Sequence, residues 1–171
     1  MKKKTNTRSI GIMALFISIG LVLQYIESRI LITPLPGGKL GLTNIVSIIN
    51  IFMFGGRNAL LISVFRSFWG SLLTGGVMTM AYSVTGAFFS SISMWFIKKI
   101  LYPKVSIIGI SIIGAATHNV SQLIVAVIFY SSVYVMSYLP ILLVLSLVSG
   151  FITGSATHIF AKRALKEDIR I

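Results

Sequence analysis

The sequence predicts an all-α integral membrane protein of six transmembrane helices in a single domain, with both termini in the cytoplasm. Hydrophobic residues make up 56% of the 171 residues, charged residues make up only 11%, and the mean hydropathy is +0.95. A soluble domain carries about 25% charged residues. The apolar residues are gathered in stretches suited to crossing a bilayer, and basic residues or Gly and Pro separate these stretches.

The distribution of the basic residues predicts the orientation in the membrane. If the N-terminus is cytoplasmic, only Arg29 and Lys39 fall on the outer side and Arg66 falls within the membrane. Every other Lys and Arg then falls on the inner side, as the positive-inside rule describes. The net charge of +12 therefore sets the topology, and we expect no nucleic-acid partner because the basic residues do not cluster on one face.

Taken in order, the apolar stretches predict spans at about residues 10–28, 43–55, 58–74, 77–97, 105–130 and 139–160. The first is interpreted as a retained span, because no small-residue cleavage site of a signal peptide precedes Glu27. The glycine-containing stretches 55–58 and 74–76 predict tight turns, and residues 131–138 predict a short uncharged loop.

The first clear break in helix-forming sequence is residues 29–42, RILITPLPGGKLGL. Pro34, Pro36, Gly37 and Gly38 exclude a regular helix there, although the segment stays fairly apolar. From the residues alone it is either a plain connector or a loop folded back over a cavity.

The fifth span carries the most informative polar cluster. Within GISIIGAATHNVSQLIVAVIFY, at about 100° per residue, His118 and Gln122 share a face with small residues such as Gly114 and Ala115. Asn119 lies beside them, and the opposite face is apolar. Because polar groups in hydrocarbon are costly unless paired, this face predicts a polar pocket or a close helix contact.

Arg66 lies at a similar depth in the third span. It is nine residues after Arg57 at the inner edge, or about 13–14 Å at 1.5 Å per residue. A charged Arg at the midplane costs at least about 2.5–3.5 kcal/mol. No acid is expected at this depth, because Glu27 falls near the outer end of the first span. Arg66 is therefore either a ligand site or a structural Arg bonded to carbonyl groups or snorkelling.

Further candidates come from the other spans. Asn44 and Asn50 fall on one polar arc of the second span. Trp69 and Tyr82 are candidates for stacking surfaces, or else residues of the aromatic belt. Ala14 and Ser18 are four residues apart in the first span, a spacing that lets another helix approach closely.

The residue types that are missing argue against an enzyme. The sequence contains no Cys and only three acidic residues, so it has no Asp-rich pair for Mg²⁺ and diphosphate and no ligand set for a metal. Around Gly38-Lys39 the frame of a phosphate-binding loop fails, since Leu40 stands where Ser or Thr is needed. We therefore expect no cofactor, and uphill transport would need a partner or an ion gradient.

Three stretches, KLGLTNIVSIINIFMFG, FRSFWGSLLTGG and GISIIGAATHNVSQL, resemble the small bacterial membrane proteins of the Gx transporter family, also named heptaprenyl diphosphate synthase component I. That family is similar to the substrate-binding S components of energy-coupling factor (ECF) transporters. The resemblance implies six helices, a loop at 29–42 that gates the pocket, and partners comprising a coupling protein and two ATPases. It also implies that the first helix packs on the coupling protein, where Ala14 matches and Ser18 replaces an Ala.

We therefore expect a substrate-binding membrane component of an ECF-like transporter in the bacterial cell membrane. Its solute would be small and anionic or polar, of the vitamin or cofactor-precursor class. The predicted binding residues are Arg66, His118, Asn119, Gln122, Asn44, Asn50, Trp69 and Tyr82. The alternative is an accessory membrane subunit of prenyl diphosphate or quinone synthesis, or of flavin- or quinone-linked electron transfer.

Overall fold

The computed structural model describes residues 7–30 and 41–166, apart from the side chains of residues 8, 9, 30 and 164–166. These residues form α-helices and no strand. The helices are α1 (Thr7–Ile30), α2 (Asn44–Phe54), α3 (Gly56–Thr74), α4 (Gly76–Leu101), α5 (Ile107–Tyr130) and α6 (Leu139–Lys166). A short 3₁₀ helix, Val133–Tyr138, leads directly into α6, where the sequence had predicted a loop.

The helices carry their apolar side chains outward, which indicates a membrane protein. On α6 the polar residues Ser146, Ser149, Thr153 and Thr157 are buried. Large apolar residues of the same helix are exposed, namely Ile141, Val144, Leu147, Val148, Phe151 and Ile152. Such a distribution would be unstable in water and is expected where hydrocarbon surrounds the helix.

Four stretches within the described residues are long and apolar enough to cross a membrane: Ile10–Arg29, Gly76–Leu101, Ile107–Tyr130 and Val133–Arg163. α2 is shorter than expected of the span predicted at 43–55. Its 11 residues extend about 17 Å, whereas the hydrocarbon core is about 30 Å thick. The helical part of the second predicted span thus extends over about half of that thickness.

The breaks between helices are tighter than the sequence indicated. A single residue, Gly55 with φ +81°, separates α2 from α3, and Gly56 and Arg57 are already helical. α3 and α4 are separated by Gly75 alone, and Gly76 has φ +77°. Positive φ favours glycine because it has no Cβ. The predicted gating loop, residues 29–42, falls mostly on residues 31–40, which lie outside the described residues.

The short α2 lies at the centre of the bundle. It contacts each of the other five α-helices, and most of its residues are buried. Ile48 and Ile51 pack with Ala59, Met94 and Ile110 from α3, α4 and α5. The predicted polar arc of α2 also faces inward, since Asn44, Ser47 and Asn50 are buried. The core around α2 therefore contains both polar and apolar side chains.

α5 and α6 approach closely through small residues. A Cβ on Gly150 would lie 2.5 Å from the Cα of Ile112, and one on Gly154 would lie 2.7 Å from the Cα of Ile108. The hydroxyls of Ser111 and Thr153 are 2.7 Å apart across this interface. Gly-x-x-x-Gly spacing permits such backbone approach in membranes, and the hydroxyl pair supplies a buried hydrogen bond.

The same Gly→Ala change is expected to have different effects on stability at two helical positions. Gly150→Ala pushes a methyl group into backbone and lowers the free energy of unfolding by about 1–3 kcal/mol. Gly11→Ala on α1, where nothing lies within 4 Å of the added Cβ, leaves stability unchanged or raises it through helix propensity. Reversible denaturation in detergent measures both, and equal effects would contradict the close α5–α6 packing.

Candidate functional site

A small polar cavity lies where α1, α3, α4 and α5 meet. Its volume is about 10 Å³, which is room for about one water molecule. It is lined by Gln24, Glu27, Gly41, Thr43, Arg66, Ser67, Ser83 and His118. Seven of these eight residues carry polar side chains, so the bundle concentrates hydrogen-bonding groups at one point inside a largely apolar protein.

Arg66 is the dominant group in this cavity. Its side chain is only 2% exposed, and its Nη1 donates a hydrogen bond to Oε1 of Gln24 at 3.1 Å. The Nε–H of Arg66 has no hydrogen-bond partner among the described residues. Because an unsatisfied buried donor costs about 1–3 kcal/mol, the guanidinium retains capacity for another acceptor.

Glu27 corrects the expectation that no acid lies near Arg66. It is buried, it lines the same cavity, and its carboxylate attracts the guanidinium electrostatically. Its Oε1 accepts a hydrogen bond from the backbone N–H of Gly41 at 2.6 Å. The reason is that α1 turns Gln24 and Glu27, three residues apart on one face, toward α3. The cavity therefore holds charges of both signs.

Three glycines on neighbouring helices make room for the long polar side chains. A Cβ on Gly20 of α1 would collide with the Cδ of Arg66, and one on Gly70 of α3 would collide with the amide of Gln24. A Cβ on Gly86 of α4 would lie 2.8 Å from the imidazole of His118. Each polar side chain thus lies against a bare stretch of another helix.

The structure brings two of the predicted site residues, Arg66 and His118, into one cavity. Gln122 lies one turn from His118 on α5 and is 1% exposed, and neither its Oε1 nor its Nε2 has a hydrogen-bond partner among the described residues. Tyr82 on α4 is buried beside Phe129, with ring centroids 5.9 Å apart. Its hydroxyl likewise has no partner in the part of the chain described.

Other predicted residues lie away from the cavity. Asn119 faces α6, where its Nδ2 donates to the hydroxyl of Ser146 at 2.9 Å and to the carbonyl of Leu142. Asn50 donates to the carbonyl of Val46 in its own helix. Trp69 is 47% exposed and packs against neighbouring Phe rings on the outer surface of α3.

Asn44 lies at the beginning of α2, next to Gly41 and Thr43 of the cavity wall. Its backbone N–H donates to the Gly41 carbonyl at 2.8 Å. Ala14 and Ser18, the predicted partner-facing pair, are both exposed on α1, and the Ser18 hydroxyl donates to the Ala14 carbonyl.

Sequence reasoning missed Gln24, Glu27, Thr43, Ser67 and Ser83. The signal for the first two was present, since Gln24 and Glu27 are polar residues three apart in an otherwise apolar span. The three hydroxyl residues carried no comparable signal, because Ser and Thr in membrane helices usually bond their own backbone. No group of His, Cys, Asp or Glu in the described ranges has the arrangement of a metal site. The arrangement is therefore suited to hydrogen bonding and charge pairing.

Arg66 and Glu27 are expected to stabilise each other. Arg66→Met and Glu27→Gln each leave an opposite charge buried, so each lowers the free energy of unfolding by about 3 kcal/mol. The double variant is expected to lose less than the sum, with a coupling energy of at least about 1 kcal/mol. Denaturant titration in detergent measures the cycle. Glu27→Gln combined with Arg57→Met, which removes an exposed Arg, serves as the additive control.

One protein family, described as heptaprenyl diphosphate synthase component I, has a family model that matches residues 16–160. No curated protein and no solved structure matches the chain. The matched region includes all of α2 to α5, and with them Arg66 and His118, as well as Gln24 and Glu27 on α1. Because this match covers most of the sequence, the chain belongs to the heptaprenyl diphosphate synthase component I family.

Proposed function

We propose that the protein is the substrate-binding membrane component of a transporter, and that it holds a small polar or anionic solute at Arg66. The observation that carries this proposal is the buried guanidinium, which faces a cavity and keeps an unused donor within the described residues. An intramembrane ionisable residue is costly, and such residues commonly mark solute or ion pathways.

The surroundings of Arg66 support a binding role over a purely structural one. Buried polar groups in folded proteins are nearly always hydrogen-bonded. Here the amide of Gln122, the hydroxyl of Tyr82 and the Nε of Arg66 have no partner in the described part of the chain. A solute that offered acceptors and donors would satisfy such groups and would recover the free energy that their burial costs.

The described conformation is closed to a solute. Small-molecule pockets commonly have about 300–1,000 Å³, and this cavity has about 10 Å³. Binding therefore requires side chains or helices to move apart. α1 is the element whose movement opens the site most directly, since it supplies Gln24 and Glu27.

The transport proposal also specifies the partner proteins and the orientation of the chain in the membrane. We expect a coupling membrane protein and ATPases, with α1 as the docking helix, because Ala14 and Ser18 leave small side chains exposed on it. We also expect six membrane spans in the bacterial cytoplasmic membrane, with both termini in the cytoplasm. The vitamin or cofactor-precursor class stays our expectation for the solute.

A second candidate function follows from the description of the family. It describes a component of a prenyl diphosphate synthase, which favours an accessory membrane subunit of isoprenoid or quinone synthesis, or of linked electron transfer. A catalytic role on this chain is not proposed, because three acidic residues do not supply the Asp-rich motifs that hold Mg²⁺ and diphosphate.

Native mass spectrometry of the protein extracted gently from its own membrane tests both candidates. We expect a small molecule that stays bound to the wild type and to Arg57→Ala. In Arg66→Ala its occupancy is expected to fall at least about tenfold, because a charge-assisted hydrogen bond is lost. Arg57 is the matched control, since it is an exposed Arg of the same helix.

Full retention of that molecule by Arg66→Ala would remove the role of Arg66 in binding. A protein without any bound molecule, but with a tightly associated prenyl synthase or flavoprotein, would contradict transport and favour the accessory subunit. Thermal unfolding of each variant shows whether a loss of binding reflects a loss of fold.

A further inference from the structure

We propose that Gln24 occupies, in the solute-free protein, the position at Arg66 that an acceptor group of the solute takes when it binds. We further infer that this solute combines a carboxylate or amide carbonyl with an N–H donor. The inference rests on the proposed function, since it specifies which group the solute displaces and what chemistry it must carry.

Gln24 has the geometry of an amide ligand attached to the protein. Its Oε1 accepts from Nη1 of Arg66 at 3.1 Å, and its Nε2 donates to the hydroxyl of Ser71 at 3.3 Å. Both bonds join α1 to α3. The amide lies against Gly70, where a Cβ would collide with it. The amide group is thus held between two polar groups of α3 over a bare patch of that helix.

This arrangement satisfies Arg66 only in part. The Nε–H has no hydrogen-bond partner among the described residues, and the bond from Nη1 goes to the neutral carbonyl of Gln24. Carboxylates bind guanidinium groups through two parallel bonds and more strongly than neutral amides do. A solute carboxylate is therefore a better partner for Arg66 than Gln24, so displacement of Gln24 improves the hydrogen bonding of the site.

Glu27 restricts the rest of the solute. Its buried carboxylate lines the same cavity, where its negative charge also acts on Arg66. A solute with a second negative group would be repelled, whereas an ammonium or amide N–H would be attracted. The site therefore selects amino-acid-like or amide-bearing molecules over simple anions.

The closed form reduces apparent affinity. If Gln24 occupies Arg66 most of the time, only the remaining fraction of molecules is competent to bind, and the apparent Kd rises by that factor. Removing the internal competitor is then expected to tighten binding, although it removes a polar side chain from the site. If Gln24 instead contacted the solute directly, its removal would weaken binding.

The test uses the full-length protein in lipid nanodiscs and four small probes: acetamide, glycine, acetate and methylammonium. Gln24→Ala removes the equivalent of one acetamide. We expect this variant to bind acetamide and glycine at least about tenfold more tightly than the wild type. Acetate is expected to bind less tightly than glycine, because it offers Glu27 no donor. Methylammonium, which has no acceptor, is expected not to bind. Probe-dependent thermal stabilisation measures each Kd.

Three further variants keep the inference falsifiable. Gln24→Leu fills the space without an acceptor and is expected to bind no probe. Gln24→Ala combined with Arg66→Met is expected to lose the gain. Ser71→Ala removes one bond that holds the amide, and it is expected to tighten glycine binding about threefold, as for the loss of one ordinary hydrogen bond. Ser71→Ala retains the other contacts, so it tests the inference if Gln24→Ala does not fold.

Weaker or unchanged glycine binding in both Gln24→Ala and Ser71→Ala would overturn the inference, because Gln24 would then support the solute or be indifferent to it. Equal gains with and without Arg66 would also overturn it, since the probes would merely be filling a void. These outcomes leave the proposed function intact, because that function is judged by the loss of a natively bound molecule in Arg66→Ala.

Discussion

The burial of one positive charge inside an apolar bundle is the constraint on which the arrangement of the other polar groups depends. Arg66 is 2% exposed on a helix in the middle of the chain, where an unpaired guanidinium would be unstable. The bundle responds with a buried acid from α1, an amide from α1 and hydroxyls from α3 and α4. Polar side chains of α1, α3 and α4 therefore surround the charge of Arg66, while large apolar side chains of the same helices are exposed on the outer surface.

The same constraint explains why α1 matters more than its sequence indicates. α1 has a largely exposed, apolar surface, yet it supplies both the hydrogen-bond acceptor and the negative charge that Arg66 faces. The other helices from α2 to α6 are tied together by short connections and by close α5–α6 packing. Besides these polar contacts, α1 packs on α2 through an apolar cluster in which Phe16 lies with Val46 and Ile49.

That Arg66 and His118 lie near each other could be predicted from the sequence, and the way in which the helices face each other could not. Arg66 and His118 were expected at one level because a helix advances by a fixed rise per residue, and both line the cavity. Which residues face each other depends on how each helix is rotated and tilted, and these angles follow from packing. His118 and Asn119 are adjacent in sequence, but one faces the cavity and the other faces α6. Glu27 was placed at the outer edge by counting alone, whereas packing brings it to Arg66.

The short α2 shows a similar limit. An apolar run bounded by glycine predicts a membrane span. Only the packing of the other helices shows that α2 lies at the centre of the bundle and contacts all five of them. Its buried Asn50 and Ser47 are polar because they face other polar helices, as in the bond between Ser47 and Ser63 at 2.9 Å. Periodicity identified this face correctly, and the length of the helix was decided by the break at Gly55.

The three glycines that face Arg66, Gln24 and His118 have a consequence for the evolution of the family. Each long polar side chain and the glycine it lies against form a matched pair on two different helices: Arg66 with Gly20, Gln24 with Gly70, and His118 with Gly86. A larger residue at one of these glycines is compatible only with a shorter side chain opposite it. Sequences that diverge at this site should therefore change two distant positions together, one on each of the two helices that meet there.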